Sequence, residues 1–392
     1  MKRSPGTREY LGEMTTTRRE MQSKAPLVSV ITPVYNGERF IAECIESVQA
    51  QSCGDFEHVI VDNCSTDRTR GIVEGYARAD PRIRFHHFDE FVSIYDNWNR
   101  ALRLANGKYV YGPAADDVMA PDYLEKMAGA LETHAGCDIA HTKLRIIGEA
   151  GETAAQWWGT HSIFSRCGTD LLDRMHIRRA PFDGLLHLTG ESVYTSWTQL
   201  LIRRSLLDRV GVFETRWGSP GDFNLNMRAA LCGDTIHVPG TWGAWREHPA
   251  QATSDNRANI AELRIKIGEM VDHALAQLGP VLETETGVRV DPKWNRQGAA
   301  MRETAWRLEE LTSSPRVLER RWFLMRKALA GSWVAREHLR ARRRGESFDW
   351  LDEAPQRIAA WVRAAGREPI ELVEENDPGA SAPPERLKEP VA

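Results

Sequence analysis

Apolar positions in the first 150 residues follow two rhythms in turn. Short continuous runs such as LVSVIT (27–32), HVIVD (58–62), IRFHH (83–87) and KYVYG (108–112) read as buried strands. Between them the apolar residues recur at helical spacing, as in Phe40, Ile41, Cys44, Ile45 and Val48, which share one face. Ser65 and Thr66 stand where a helix running to Ala79 needs an N-cap, and NWNRALRLA (97–105) reads as a helix before the fourth strand. Pro121 suits the first turn of a helix ending near Thr133. Regular alternation of strand and helix predicts an α/β fold, a Rossmann-like and mostly parallel sheet covered on both faces.

Past Glu149 the pattern loosens into a Trp-rich, irregular stretch. SWTQLLIRRSLLDRVGVF (196–213) then reads as strand followed by helix, GDFNLNMRAALCGD (221–234) as a helix ending at Gly233, and GDTIHVPGTWGAWREHPAQAT (233–253) as short extended pieces. From Asn256 onward long helical patterns take over, at 260–278, 294–311 and 316–344. Four parts are expected: a disordered lead-in at 1–25, an α/β domain at 26–255, a helical region at 256–375, and a disordered Pro- and Ala-rich tail at 376–392.

Composition narrows the setting more than the activity. The 392 residues are 42% hydrophobic with a net charge of -4, which gives no global reason for nucleic-acid or membrane binding. Six scattered cysteines without a CxxC pair fit a reducing compartment. No apolar run reaches the ~18 residues of a membrane span, and the polar N-terminus has no signal-peptide core. A cytoplasmic protein, peripheral to a membrane at most, is expected.

Open α/β sheets bind ligands beyond the carboxyl ends of their strands. Asn36, the DNCSTD segment (62–67) and AADD (114–117) each follow a strand end, so three polar segments distant in sequence should meet on one rim. There Asp116 and Asp117 set two repelling carboxylates side by side, more than a solvated turn requires.

With those segments in place the sequence resembles the family 2 glycosyltransferases, which have the A-type nucleotide-sugar-binding fold. The resemblance rests on VSVITPVYNGERFIAECIESVQAQS, FEHVIVDNCSTDRT, NWNRALRLANGKYVYGPAADDVMAPDYL, LIRRSLLDRVGVFE, GDFNLNMRAALCGD and WREHPAQAT, in the family's order. It covers roughly 26–254 and does not extend to the C-terminal helices. It implies transfer of a sugar from a nucleoside diphosphate donor, a UDP-sugar first, to an acceptor hydroxyl with inversion. Thr32, Pro33, Tyr35 and Asn36 would border the base and ribose, and Asp62 and Asn63 would contact them. Asp116 and Asp117 would hold Mn²⁺ or Mg²⁺ against the diphosphate, since hard cations prefer carboxylate and phosphate oxygens and relieve the repulsion of the doublet. Asp222 would be the catalytic base, Arg246 would steady the phosphates, and His248 would be a third metal ligand or a diphosphate donor.

Three departures stand out: Ala114 replaces the first aspartate of the family's Asp-x-Asp-Asp, Gly221 replaces a glutamate, and Asn63 stands where many relatives carry Asp. They keep open a degenerate, non-catalytic nucleotide-sugar-binding scaffold. The basic segment 316–344 keeps open contact with an anionic surface, or a DNA or lipid-linked phosphate acceptor, beside an internally compensated helix face. Plainer roles compete too: a turn or cap for Ser65 to Asp67, an N-cap for Asp222, a structural His248. Trp157, Trp158, Trp197, Trp217 and Trp242 are candidates to stack on a sugar, although core is the simpler fate for them and for Trp98.

Overall fold

The computed structural model describes residues 25–152, 163–167, 169–249, 251, 260–289, 292–312, 317–330 and 332–373. Its first half alternates as expected: β1 (Val28–Val34), α1 (Ile41–Gln49), β2 (Phe56–Asn63), α2 (Thr69–Ala79), β3 (Ile83–Phe88), α3 (Ile94–Leu104) and β4 (Tyr109–Tyr111). There follow β5 (Val118–Met119), α4 (Tyr123–Thr133), β6 (Cys137–Ile147), β7 (His176–Arg178) and α5 (Phe182–Leu186). Then come β8 (Leu200–Arg203), α6 (Arg204–Val210), α7 (Gly221–Cys232) and β9 (Asp234–Arg246). The C-terminal part is α8 (Ile260–Thr286), α9 (Pro292–Thr312), α10 (Val317–Leu329), α11 (Trp333–Arg344), α12 (Trp350–Ala364) and β10 (Ile370–Leu372).

One sheet runs in the order β10-β7-β9-β6-β8-β4-β1-β2-β3, with β5 paired to β9. β1 pairs in parallel with β2 and β4, and β2 with β3, so the carboxyl ends of these strands share a rim. Beyond β4 the sheet is mixed: β8 runs antiparallel to β4 and β6, whereas β6 and β9 are parallel. Period-two alternation divides the strands between two cores. Val28 and Val30 join Tyr109, Tyr123 and Met127 on one face, while Ile31, Val59 and Val61 join the helices of the other.

The two longest strands, β6 and β9, depart from the sequence reading. β6 escaped it because His141, Thr142, Lys143 and Arg145 interrupt its apolar pattern. The buried members are satisfied across the sheet: His141 Nδ1 meets His237 Nδ1 at 3.0 Å, and the Thr142 hydroxyl donates to Val238 and Thr241 carbonyls at 2.7 and 2.9 Å. The short extended pieces expected after Gly233 are one strand, β9. An irregularity in its pairing with β6 accommodates Pro239 and Gly240, the latter at φ 78°.

The expected boundary near 255 is crossed by packing. One apolar core joins Leu225 and Met227 of α7 to Met270, Ala274 and Leu278 of α8 and to Ile358 and Val362 of α12. β10 adds a strand to the sheet edge by pairing with β7, and Arg367 donates to Asp234 at 2.9 Å. Within the basic helices, Arg340 and Arg344 pair with Glu337 and Glu346, and Lys327 with Glu303. No helix among the described residues is long and apolar enough to cross a membrane.

Candidate active site

A cavity of about 780 Å³ opens where β1 and β4 end, under the N-terminus of α7. After β1, Asn36 adopts φ 48°, a left-handed conformation that asparagine tolerates better than most residues. Its amide oxygen accepts the Thr66 N–H at 2.8 Å and its own N–H donates to Ser65 Oγ at 2.8 Å, which knits the loops after β1 and β2 together. Pro33, Tyr35, Asn36 and Asn63 all line the cavity. Tyr35 stands half exposed, edge-on to the exposed Phe91 with ring centroids 4.9 Å apart. Asn63 clamps Val92, donating to its carbonyl at 2.9 Å and accepting its N–H at 3.0 Å.

Thr32 and Asp62, expected at the base and ribose, turn into the protein. Thr32 Oγ1 meets His58 Nε2 at 3.0 Å, and Asp62, fully buried, pairs with His87 Nδ1 at 2.7 Å and accepts the Ser65 N–H at 3.1 Å. Neither lines the cavity. Their visible work is to fix the floor on which Tyr35 and Asn36 stand.

The aspartate doublet is split. β5 pairs with β9 through Val118–Ala244 and Met119–Gly243, which draws 116–117 alongside 246–248. Asp116 faces the cavity, and its Oδ2 lies 2.9 Å from His248 Nε2. Asp117 is completely buried behind it, with Oδ1 accepting the Arg246 N–H at 3.1 Å and Oδ2 accepting from the Thr198 hydroxyl and the Ala114 N–H. Burial, with the Asp116 charge second, pushes the Asp117 carboxyl well above the usual range. The expectation that both carboxylates face a cation is thus corrected for Asp117, whose oxygens are engaged by the loops they hold together.

Arg246 also differs from expectation. Its guanidinium is buried, 4.9 Å above the Phe40 ring, and donates to Glu43 at 2.7 Å, the Asp116 carbonyl at 2.9 Å and the Gly148 carbonyl at 3.1 Å. It braces the Asp116 backbone from behind and does not line the cavity.

Among the described residues no group of three metal-ligating side chains exists, so the fit of a divalent ion rests on the Asp116–His248 pair. Their 2.9 Å separation is close to the ~3 Å edge of an octahedron with ~2.1 Å bonds, and such ions commonly take one or two protein ligands plus phosphate oxygens and water. Among the described residues His248 Nδ1 is buried without a hydrogen-bond partner, and the ring packs 5.0 Å from Phe40, so the side chain is held by packing with Nε2 aimed at Asp116. The donor set fits the ion.

Asp222 reaches the same cavity from the first turn of α7. α7 is buried along nearly its whole length, which fixes its first turn rigidly. Arg228 in its interior donates to Asn224 Oδ1 at 3.0 Å and to the Val210 and Val212 carbonyls, and Trp197 Nε1 donates to Asn226 Oδ1 at 2.9 Å. Asp222 lines the cavity, and its Oδ1 accepts the Phe223 N–H at 2.8 Å. Tyr95 OH donates to the Ser219 carbonyl at 2.7 Å and accepts the Asp222 N–H at 3.1 Å. Burial raises the Asp222 carboxyl to about 6, against the pull of the Phe223 N–H and the Tyr95 hydroxyl. Gly221 has a steric reason, because a Cβ there would lie 2.8 Å from Tyr95 Cε2. Tyr95 occupies the space that a glutamate would need.

Of the tryptophans singled out in the sequence, Trp197 lines the cavity, Trp217 is buried, Trp242 lies under Arg145 at 3.9 Å, and Trp157 and Trp158 fall outside the described residues. Trp98, expected in the core, and Trp245, not singled out, also line the cavity. Tyr95, Phe91 and Thr198 were missed as well, since single aromatic and hydroxyl residues carry no signal separable from ordinary packing.

Residues 29–211 match the family model described as Glycosyl transferase family 2. This segment, just under half of the chain, is a glycosyltransferase family 2 domain. The chain is 27% identical over 255 residues to protein y4gI of Sinorhizobium fredii, spanning 63% of this chain and 25% of that one. It is 42% identical over 106 residues to the putative teichuronic acid biosynthesis glycosyltransferase TuaG of Bacillus subtilis, 27% of this chain and 42% of TuaG. The PGL/p-HBAD biosynthesis glycosyltransferase of Mycobacterium bovis is 27% identical over 219 residues, 55% of this chain and 75% of that one. The chain therefore spans well under two thirds of the length of y4gI and TuaG. Among solved structures, S. aureus TarS 1–349 in complex with UDP-GlcNAc aligns over 82% of this chain and 93% of that one, at 17% identity and a TM-score of 0.48.

Proposed function

We propose that the chain transfers a sugar from a nucleoside diphosphate donor, a UDP-sugar in the first instance, to an acceptor hydroxyl with inversion at the anomeric carbon. The observation that carries this reading is the presence, in the lining of one cavity, of a cation-competent Asp116–His248 pair and a carboxyl raised to about 6 at the N-terminus of a buried helix. Such a carboxylate is ionised at neutral pH yet basic enough to accept a proton from an alcohol as that alcohol attacks. Tyr35 and Phe91 offer an aromatic mouth for the base, with Pro33 and Asn36 beneath. Asp116 and His248 hold the cation, Mn²⁺ or Mg²⁺. Bound there, the ion supplies positive charge against the leaving diphosphate. Asp222 takes the hydroxyl proton, the acceptor oxygen bonds to the anomeric carbon, and the bond from that carbon to the diphosphate oxygen breaks. Asp117, Arg246 and Asp62 act as positioning residues.

A non-catalytic scaffold fits less well, because a binding module has no need to hold a desolvated carboxyl with a raised pKa in the lining of the same cavity. The test is release of nucleoside diphosphate from a panel of UDP- and GDP-sugars with Mn²⁺, by wild type and Asp222→Asn. Turnover by wild type and its loss in the variant, with nucleotide binding retained, supports transfer. Tight nucleotide-sugar binding with no turnover by wild type on any acceptor supports the scaffold.

A further inference from the structure

Behind the donor cavity lies a second chamber of about 530 Å³, enclosed by α8, α9, α11 and the segment entering α12. Its walls are mostly apolar, with Leu263, Ile267, Trp306, Val334, Phe348 and Trp350 prominent among them. Gly190, Leu263 and Ile267 line both spaces, so the chamber adjoins the cavity in which Asp222 stands. Gly190 lies on the boundary the two spaces share. It sits at φ 86°, and a Cβ there would lie 2.6 Å from Trp306 Cζ2. The volume is in the range that takes a small organic ligand, about 300–1,000 Å³.

The polar groups of the chamber decide what kind. Arg264 is ion-paired to Glu309, and burial keeps His338 below its usual pKa, hence neutral at physiological pH. Glu191 lines the chamber beside that boundary; among the described residues its side chain makes no hydrogen bond, and burial raises its pKa against the pull of the Arg166 and Arg264 charges. No lining cation is left over for a phosphate, and an extra carboxylate would repel one. An uncharged occupant with a hydroxyl to donate to Glu191 satisfies both the apolar walls and the unpartnered acceptor.

We propose that this chamber receives the apolar, uncharged body of the acceptor, an alkyl or aryl aglycone, while the hydroxyl-bearing end lies across the boundary shared at Gly190, Leu263 and Ile267, in the cavity that Asp222 lines; this rests on the transferase reading above. The C-terminal helices thereby select amphiphilic acceptors over free sugars and over phosphate-linked ones.

The test titrates methyl, n-butyl, n-hexyl and n-octyl β-D-glucoside, each below its micelle concentration, into the full-length chain by calorimetry. Affinity should rise about fourfold per added methylene, so the octyl glycoside binds on the order of a hundredfold more tightly than the butyl. Ala305→Trp, filling the chamber, and Ile260→Glu, at an exposed position on its rim, should each weaken octyl binding at least tenfold. Thermal stabilisation by nucleotide sugars is read on the same samples. A flat chain-length series, or octyl binding unchanged in Ile260→Glu, with donor stabilisation intact, overturns the chamber assignment alone. Absence of donor stabilisation across the panel overturns the transferase reading and the acceptor assignment with it.

Discussion

Acidification should silence transfer through one carboxyl, and Asp222→Asn should reproduce that silence at every pH. With its carboxyl at about 6, Asp222 is roughly 97% ionised at pH 7.5 and roughly 9% at pH 5.0, so kcat/KM should fall about tenfold between them. Removing the base should lower kcat by about 10²–10⁴ while donor affinity stays within about twofold. The same shift makes a stability claim. In the unfolded chain the carboxyl titrates near 3.8 and in the fold near 6, so below 3.8 it is neutral in both states and contributes nothing. Between those values the unfolded chain releases its proton first, and stability falls as pH rises through the window. Above 6 the loss is complete and is on the order of 2–3 kcal/mol. Asp222→Asn removes the buried charge and should therefore raise the melting temperature at pH 7.5 by about 2–5 °C. The assay pairs pH–rate profiles, read as nucleoside diphosphate release, with thermal melts of both proteins. A variant that melts lower than wild type yet turns over normally would make Asp222 a helix cap and refute the argument.

Asp117→Ala should lower stability by about 2–4 kcal/mol, through three donors left without their acceptor, and any loss of donor binding should come with a lowered melt; calorimetry at saturating Mn²⁺ checks this. Asp116→Asn and His248→Ala should instead leave the melt within about 1 kcal/mol of wild type and abolish Mn²⁺-dependent stabilisation by nucleotide, as chelation should in wild type. Tyr35→Ala should weaken nucleotide binding about tenfold with kcat little changed, measured by titration with the nucleoside diphosphate alone.

Much of the fold was legible because β1 to β4 and the helices between them keep clean periods, and their ends set the rim. β6 was hidden because buried polar side chains bonded across strands look like a loop when read as hydropathy. The helical region resisted for a related reason: its apolar stripes announce helices but not that α8 and α12 share a core with α7 or that β10 joins the sheet. Within the site, Asp116 was legible as a carboxylate after a strand end, whereas Asp222 and His248 were singled out through the family resemblance. Which aspartate of the doublet faces the cavity was not legible, since neighbouring residues at a turn point in directions that only the β5–β9 pairing settles. Arg246 shows the same limit. Its charge invites a phosphate, but Phe40, Glu43 and two loop carbonyls claim the guanidinium first. Gly221 looked like the loss of a functional glutamate and is explained by the Tyr95 ring that fills its space.

The presence of a cation pair and a base in the lining of one cavity is tested most directly by crystals grown with Mn²⁺ and a nucleoside diphosphate. An anomalous peak bonded to Asp116 Oδ2 and His248 Nε2, with Asp222 facing it across the bound diphosphate, is the predicted result. A peak held by Asp117 with Asp116 turned away, or a nucleotide seated outside this cavity, would contradict the account.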